Sequence, residues 1–235
     1  MRTVVILIGL IAITGCVRDP IPVYPRTSVD ESFAIINRRN AEIQTVQGQA
    51  EIVLTDAAGR SVRLDGAFVM RPPNEMRVRA WKLGQAVFDL TLNPDGVYQF
   101  VGRDEARQSM PATRKVLEHW MTMLFGDVGR AGSQIRDDPQ HIRATTQLAG
   151  ETQEVRTFDR PTLTQRSVDL MDATGKRRFL MEMDQYQVLG GNVWPMRVRA
   201  VSDDGLITIR FQSVDLNVPL APNAFKPPSR AERVP

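Results

Sequence analysis

The side chains with most chemistry to offer are few. They are one cysteine, Cys16, two histidines, His119 and His141, and the adjacent carboxylates Asp137–Asp138 and Asp203–Asp204. Zinc and nucleophile-elbow chemistry need convergent residues at set spacings, and no HExxH, cysteine–histidine cluster or GxSxG occurs. Both aspartate pairs sit in turn-like segments, where a short carboxylate bonds its own backbone. His119 lies beside the apolar stripe of a helical stretch, and His141 opens an alternating one. The chain reads as a non-enzyme, with no metal and no cofactor. An active site assembled from scattered residues is the alternative that such a reading leaves open. Cys16 has no second cysteine to pair with, so its chemistry is not an internal disulfide.

What surrounds Cys16 says what the thiol is for. Arg2 gives a positive start, and Val4 to Ile13 is apolar except for Gly9. Such a helix would be about 15 Å long, half the hydrocarbon thickness that a spanning helix must cross, so residues 1–15 read as a signal peptide. Ile13-Thr14-Gly15-Cys16 is an aliphatic residue, two small ones and a cysteine. It resembles the lipobox of bacterial lipoproteins, which implies cleavage before Cys16 and acylation of its sulfur. Two or more acyl chains hold a protein firmly on a bilayer. Val17, rather than aspartate, follows the cysteine, which by the same resemblance points to the outer membrane, facing the periplasm. Residues 16–27, with prolines at 20, 22 and 25, read as an extended lipidated tether. Without residues 1–15 there are 29 basic and 27 acidic side chains, a net charge of +2 and no basic run that would suit nucleic acid.

From Ser28 the pattern is helical: Ser28 or Asp30 can cap, and Phe33, Ile36, Asn40 and Ile43 form a stripe with Ile35. At Val46 the period switches to two. Strands are predicted over 46–54, 62–70, 76–80, 86–92 and 97–102, split by DAAGR, RPPNE, Gly84 and NPDG. A second helix can start at Pro111, with Val116, Leu117, Trp120, Met121 and Leu124 at helical spacing and Gly126 as its end. Residues 127–140 read as loop. Alternation resumes near 141–148, 152–158, 164–172, 177–187, 194–201 and 205–216, and residues 229–235 read as a polar tail. MRVRA occurs at 76–80 and again at 196–200, apolar on one side and basic on the other. About eleven antiparallel strands, one helix before them and one inserted, suit a single curled sheet with helices across its mouth, a mainly β (α+β) fold. A two-layer β-sandwich is the rival.

This order resembles the LolA/LolB lipoprotein-carrier superfamily. The matching features are the early helix ending in NAEIQTVQGQAEIVL, the stretch MRVRAWKLGQAVFDLTLNPDGVYQF, the mid-chain helix, and the ending DLNVPLAPNAFKPP with Phe225 before prolines. The resemblance spans residues 28–228 and implies a half-open antiparallel β-barrel of about eleven strands with a helical lid over an apolar cavity. On that fold Phe68, Met70, Phe88, Leu90, Phe179, Met181, Met183, Trp194 and Met196 fall on inward rows, faced from the helix by Leu117, Trp120, Met121 and Leu124. Unbranched methionine adapts to ligands of irregular shape. Arg77, Arg79, Arg197, Arg199 and Arg210 point outward. The resemblance implies acyl chains of a lipid or lipoprotein as ligand, a membrane reached through the N-terminal anchor, and a periplasmic carrier protein as a further partner. The alternative is a scaffold or sensor on the same fold, with a filled core and a protein partner. Two family features match less well. The receptor's exposed leucine on an early loop has only Leu83 as counterpart, and Leu83 reads as a buried hairpin residue. The carrier's lid-locking arginine has no counterpart that the sequence identifies. Intact-mass analysis of the envelope-purified protein should give a chain starting at acylated Cys16, and Cys16→Ser should leave the unacylated precursor; an unmodified Cys16 contradicts the anchor.

Overall fold

The computed structural model describes residues 19–102, 114–130 and 132–234. The signal segment, Cys16 and Pro111 lie outside them, as does the side chain of Val116. Helix α1 (Val29–Glu42) is capped by Ser28, whose side chain accepts from the Glu31 N–H, and Asp30 and Glu31 complement its dipole in the first turn. It buries Ser32, Phe33 and Ile36. Strands β1 (Val46–Asp56), β2 (Ser61–Arg71), β3 (Glu75–Lys82), β4 (Gln85–Asn93) and β5 (Gly96–Val101) follow as an antiparallel meander. Helix α2 (Arg114–Phe125) comes next. Then come β6 (Gln134–Asp137), β7 (His141–Gln147), β8 (Gln153–Asp159), β9 (Gln165–Met171), β10 (Arg177–Leu189), β11 (Asn192–Ser202) and β12 (Gly205–Leu216), with β13 (Glu232–Val234) last.

The thirteen strands among the described residues join one sheet in the order β13-β5-β4-β3-β2-β1-β12-β11-β10-β9-β8-β7-β6. The pairing of β1 with β12 seams the two meanders together. The sheet does not close: its edges are β13, lying on β5, and β6. The chain that runs from β5, the neighbour of edge strand β13, to edge strand β6 carries α2. The fold is the half-open barrel with a helical lid that the sequence predicts, and two strands exceed the expected eleven. One, β6, lies inside the stretch read as loop, because all four of its residues are exposed and no alternation marks it. The other, β13, lies in the stretch read as polar tail.

The C-terminal segment reaches β5 across the outer face. The Asn217 side chain accepts from the Gln44 N–H at 2.7 Å and donates to the Glu42 carbonyl, which ties the end of β12 to the α1–β1 junction. Phe225 is buried, with the Arg71 guanidinium 5.1 Å from its ring centroid and Asn93 donating to its carbonyl. The segment read as tether is held from Tyr24 onward. The Tyr24 N–H donates to the Pro161 carbonyl at 2.8 Å, and buried Arg160 donates to the Thr27 carbonyl and to Ser32.

The seam is tight at Gly48. A Cβ there would lie 1.9 Å from the Ser213 carbonyl oxygen, beside the register shift at Gln49/Ala50. Gly48→Ala should therefore force β1 and β12 apart and cost about 1–3 kcal/mol, read as a lower urea midpoint; unchanged stability would contradict the seam.

Candidate functional site

The thirteen residues expected to face inward meet in one cluster. Phe68, Met70, Phe88, Leu90, Leu117, Met121, Met181, Met183 and Trp194 are buried, and Trp120, Leu124, Phe179 and Met196 are half-buried against them. The period of two decides this for the strands, and α2 adds its apolar stripe from the open side. Phe125 and Phe211, which the sequence reading did not single out, complete the packing: their ring centroids each lie 5.8 Å from that of Trp194.

In this conformation the concavity is filled. A pocket of about 50 Å³ lies beneath the C-terminal half of α1, lined by Arg39, Asn40, Leu124, Gln165, Met183, Tyr186 and Trp194 among others. A second, of about 20 Å³, lies between β1, β2, β3 and β12. Ligand pockets run to about 300–1,000 Å³, so about 50 Å³ has room for a few waters and none for an acyl chain. Trp194 is 3% exposed and its indole N–H has no hydrogen-bond partner, an arrangement that costs free energy. The Tyr186 hydroxyl donates to the Gln165 carbonyl, and burial pushes the phenol's pKa well above its usual range.

Side chains of the sheet bond the backbone at the C-terminal end of α2. Arg156 on β8 donates to the Thr122 carbonyl at 3.1 Å, which also accepts from the Gly126 N–H, and to the Gly126 carbonyl at 3.2 Å, just past the helix end. Its third donor goes to Glu154 at 2.7 Å, and both side chains are about 95% buried. Glu154 also lies 3.7 Å from His119 on α2 itself. Gln165 on β9 donates to the Met123 carbonyl, and Asn37 on α1 exchanges two hydrogen bonds with the Val128 backbone. Arg156 thus holds the C-terminal end of α2. Glu154, Arg156 and Phe158 occupy alternate, buried positions of β8.

One expectation is revised by exposure. Leu83 is not a buried hairpin residue but 93% exposed at the tip of the β3–β4 hairpin. A two-residue turn has no strand partner behind it to cover a side chain. Of the outward arginines, Arg77 pairs with Asp89, Arg197 with Asp184, Arg199 with Glu182 and Arg210 with Glu51. The carboxylates considered for catalysis are engaged as well: Asp137 with Arg160 and Arg26, Asp203 with Arg178. Asp138 accepts from the Gln140 and His141 N–H groups. Among the described residues no cluster of three or more His, Cys, Asp or Glu could hold a metal, and no helix is long and apolar enough to cross a membrane.

Arg156→Met leaves Glu154 buried without its cation and should cost about 3–5 kcal/mol, with Glu154→Gln in the same chain recovering part of it. Hydrogen exchange at Thr122–Gly126 should quicken in the single variant. Equal stability of single variant and wild type would contradict the grip.

No protein-family model matches the sequence, and no curated protein matches it either. Solved structures do match in shape. A DUF1329 family protein from Desulfovibrio piger superposes with a TM-score of 0.57 at 10% identity, over 84% of this chain and 97% of that one. A domain assigned to outer membrane lipoprotein sorting in Vibrio parahaemolyticus gives 0.54 at 12% identity, over 85% and 97%. A LolA superfamily protein from Nitrosomonas europaea gives 0.55 at 8% identity, over 82% and 96%. In fold, this chain is a LolA-like half-open barrel.

Proposed function

We propose that this protein is a lipid-anchored protein of the bacterial envelope, held by acylated Cys16 and facing the periplasm, whose half-barrel takes up acyl chains of a lipid or lipoprotein. The observation that carries this reading is α2. It lies in the connection from β5 to β6, its apolar side packs on the methionine-rich concavity, and Arg156 and Gln165 bond the backbone of its C-terminal end. Such a helix can leave the concavity as a unit. Magnitudes agree. Exposing Leu117, Met121, Met123 and Leu124 costs about 6–12 kcal/mol at about 1.5–3 kcal/mol each, and an acyl chain of about 14–16 carbons recovers about 11–13 kcal/mol at about 0.8 kcal/mol per methylene. A chain of that length can replace the helix, whereas a short one cannot. The unpartnered Trp194 N–H supports the same reading, since a ligand carbonyl would satisfy it. Exposed Leu83 supplies the tip by which the resembling receptor reaches a membrane. The solved structures similar in shape include a domain assigned to lipoprotein sorting.

A second reading, a scaffold or sensor that docks a protein partner, is favoured by one observation: the core is filled, with a pocket of only about 50 Å³. Native mass spectrometry of the protein incubated with palmitate separates the two. The carrier reading expects a one-to-one adduct, weakened at least about tenfold when half-buried Trp120 is changed to Gln, at the lower end of what a lost large apolar contact is worth. A clean mass with no uptake by the folded protein would support the scaffold instead.

A further inference from the structure

Strand β6 is four residues long, forms one edge of the sheet, and exposes every residue. The backbone groups that it turns away from β7 are therefore an open template for a further strand. Length is no bar to such pairing, since at the opposite edge three residues, Glu232–Val234, lie in register on β5. Proteins commonly blunt an open edge with one charged side chain, and Arg136 is such a residue. That device does not explain the residue standing opposite it, Arg143 on β7, which is one strand in from the edge and blunts nothing.

Single unpaired cations are ordinary on this surface; Arg79, for one, is set against Asp89 and Ala67. Two unpaired cations set directly against each other are not. Arg136 and Arg143 are both exposed, and neither forms an ion pair among the described residues. Like charges placed so repel each other. Among the described strands arginine opposes arginine in one other register, Arg197 against Arg210, and there Asp184 and Glu51 neutralise the two. The carboxylates of the β6–β7 hairpin are committed elsewhere, Asp137 to Arg160 and Arg26, Asp138 to the Gln140 and His141 N–H groups. Alternation supplies the rest of the pattern. Ile135, next to Arg136, lies on the inner side of the sheet opposite buried Ala144, and 38% of it is exposed. A strand laid along β6 would set its side chains alternately beside Arg136 and beside Ile135.

We propose that β6 is a docking edge for an extended segment of a partner protein in which acidic and apolar residues alternate. The acidic side chains neutralise Arg136 and, one strand further in, Arg143, while the apolar ones cover Ile135. Main-chain hydrogen bonds to the open edge supply the pairing, and the two kinds of side chain supply the selectivity. A second copy of this chain suits the edge poorly, because two β6 strands side by side would bring further arginines to a place that already lacks a carboxylate. An anionic lipid surface would meet the guanidiniums but leave the strand edge unused. The inference does not depend on whether the half-barrel takes up an acyl chain.

The test titrates the full-length protein in phosphatidylcholine nanodiscs with a capped peptide of alternating Glu and Val, and follows hydrogen exchange at Gln134–Asp137. The expected result is saturable protection of these amides, with none from the matching Lys–Val peptide. N-methylation of one alternate set of the peptide's amides should abolish the protection, and of the other set should leave it, because a strand turns every second amide towards its neighbour. The Arg136→Gln, Arg143→Gln double variant, changed at two exposed positions, should bind about five- to 25-fold more weakly, at up to about fivefold for each exposed ion pair. Protection by the Lys–Val peptide as well, or at Glu232–Val234 instead of β6, overturns the site. Equal tolerance of both methylation patterns overturns strand addition, and undiminished affinity in the double variant overturns the role given to the two arginines. No protection by saturating Glu–Val peptide overturns the proposal as a whole.

Discussion

An antiparallel sheet that curls without closing has an inner apolar face that water must not reach, and the rest of this structure follows from how that face is covered. A closed barrel covers its interior with its own far wall. Here the walls end at β13 and β6, and the covering has to come from another element. Helix α2 supplies it because the chain that runs from β5, beside one edge, to β6 at the other carries the helix. Its side chains complete the core. The pocket of about 50 Å³ that remains shows how fully they do so.

Covering the face with a separate element, rather than with more sheet, has an energetic consequence. Strand pairing is spread along every residue, whereas polar contacts to α2 include those of Arg156, Gln165 and Glu154, with Asn37 bonding the chain just after it. A buried ion pair such as Arg156–Glu154 adds little stability relative to an apolar pair of the same shape, but removing one partner is costly. It therefore sets where the helix end sits more than how firmly the core holds together. Displacing α2 needs a ligand whose affinity for the uncovered state exceeds that for the covered one, since no other contact shifts the balance.

Much of this was legible in the sequence because alternation is a strong signal wherever one face of a strand is buried. Phe68 and Met70, Phe88 and Leu90, and Met181 and Met183 could be assigned to one side from their spacing, and they meet as expected. The signal fails where burial is absent or polar. Strand β6 exposes every residue, so nothing distinguishes it from loop, and β13 is three residues in a proline-rich segment. Arg156 and Glu154 carry no such signal, because charged residues seldom mark an interior face; only the helix end above them makes that side of β8 an interior one. Leu83 was read as buried from its side chain alone, whereas the two-residue turn it occupies leaves nothing to bury it.

The central claim is that α2 is a removable cover. Hydrogen exchange of the whole protein, with and without lysophosphatidylglycerol, tests it most directly. The account predicts that ligand changes protection at the amides of Arg114–Phe125 while the β1–β12 seam is untouched. Ligand binding that leaves α2 protection unchanged would contradict it, and so would loss of protection in the seam together with the helix.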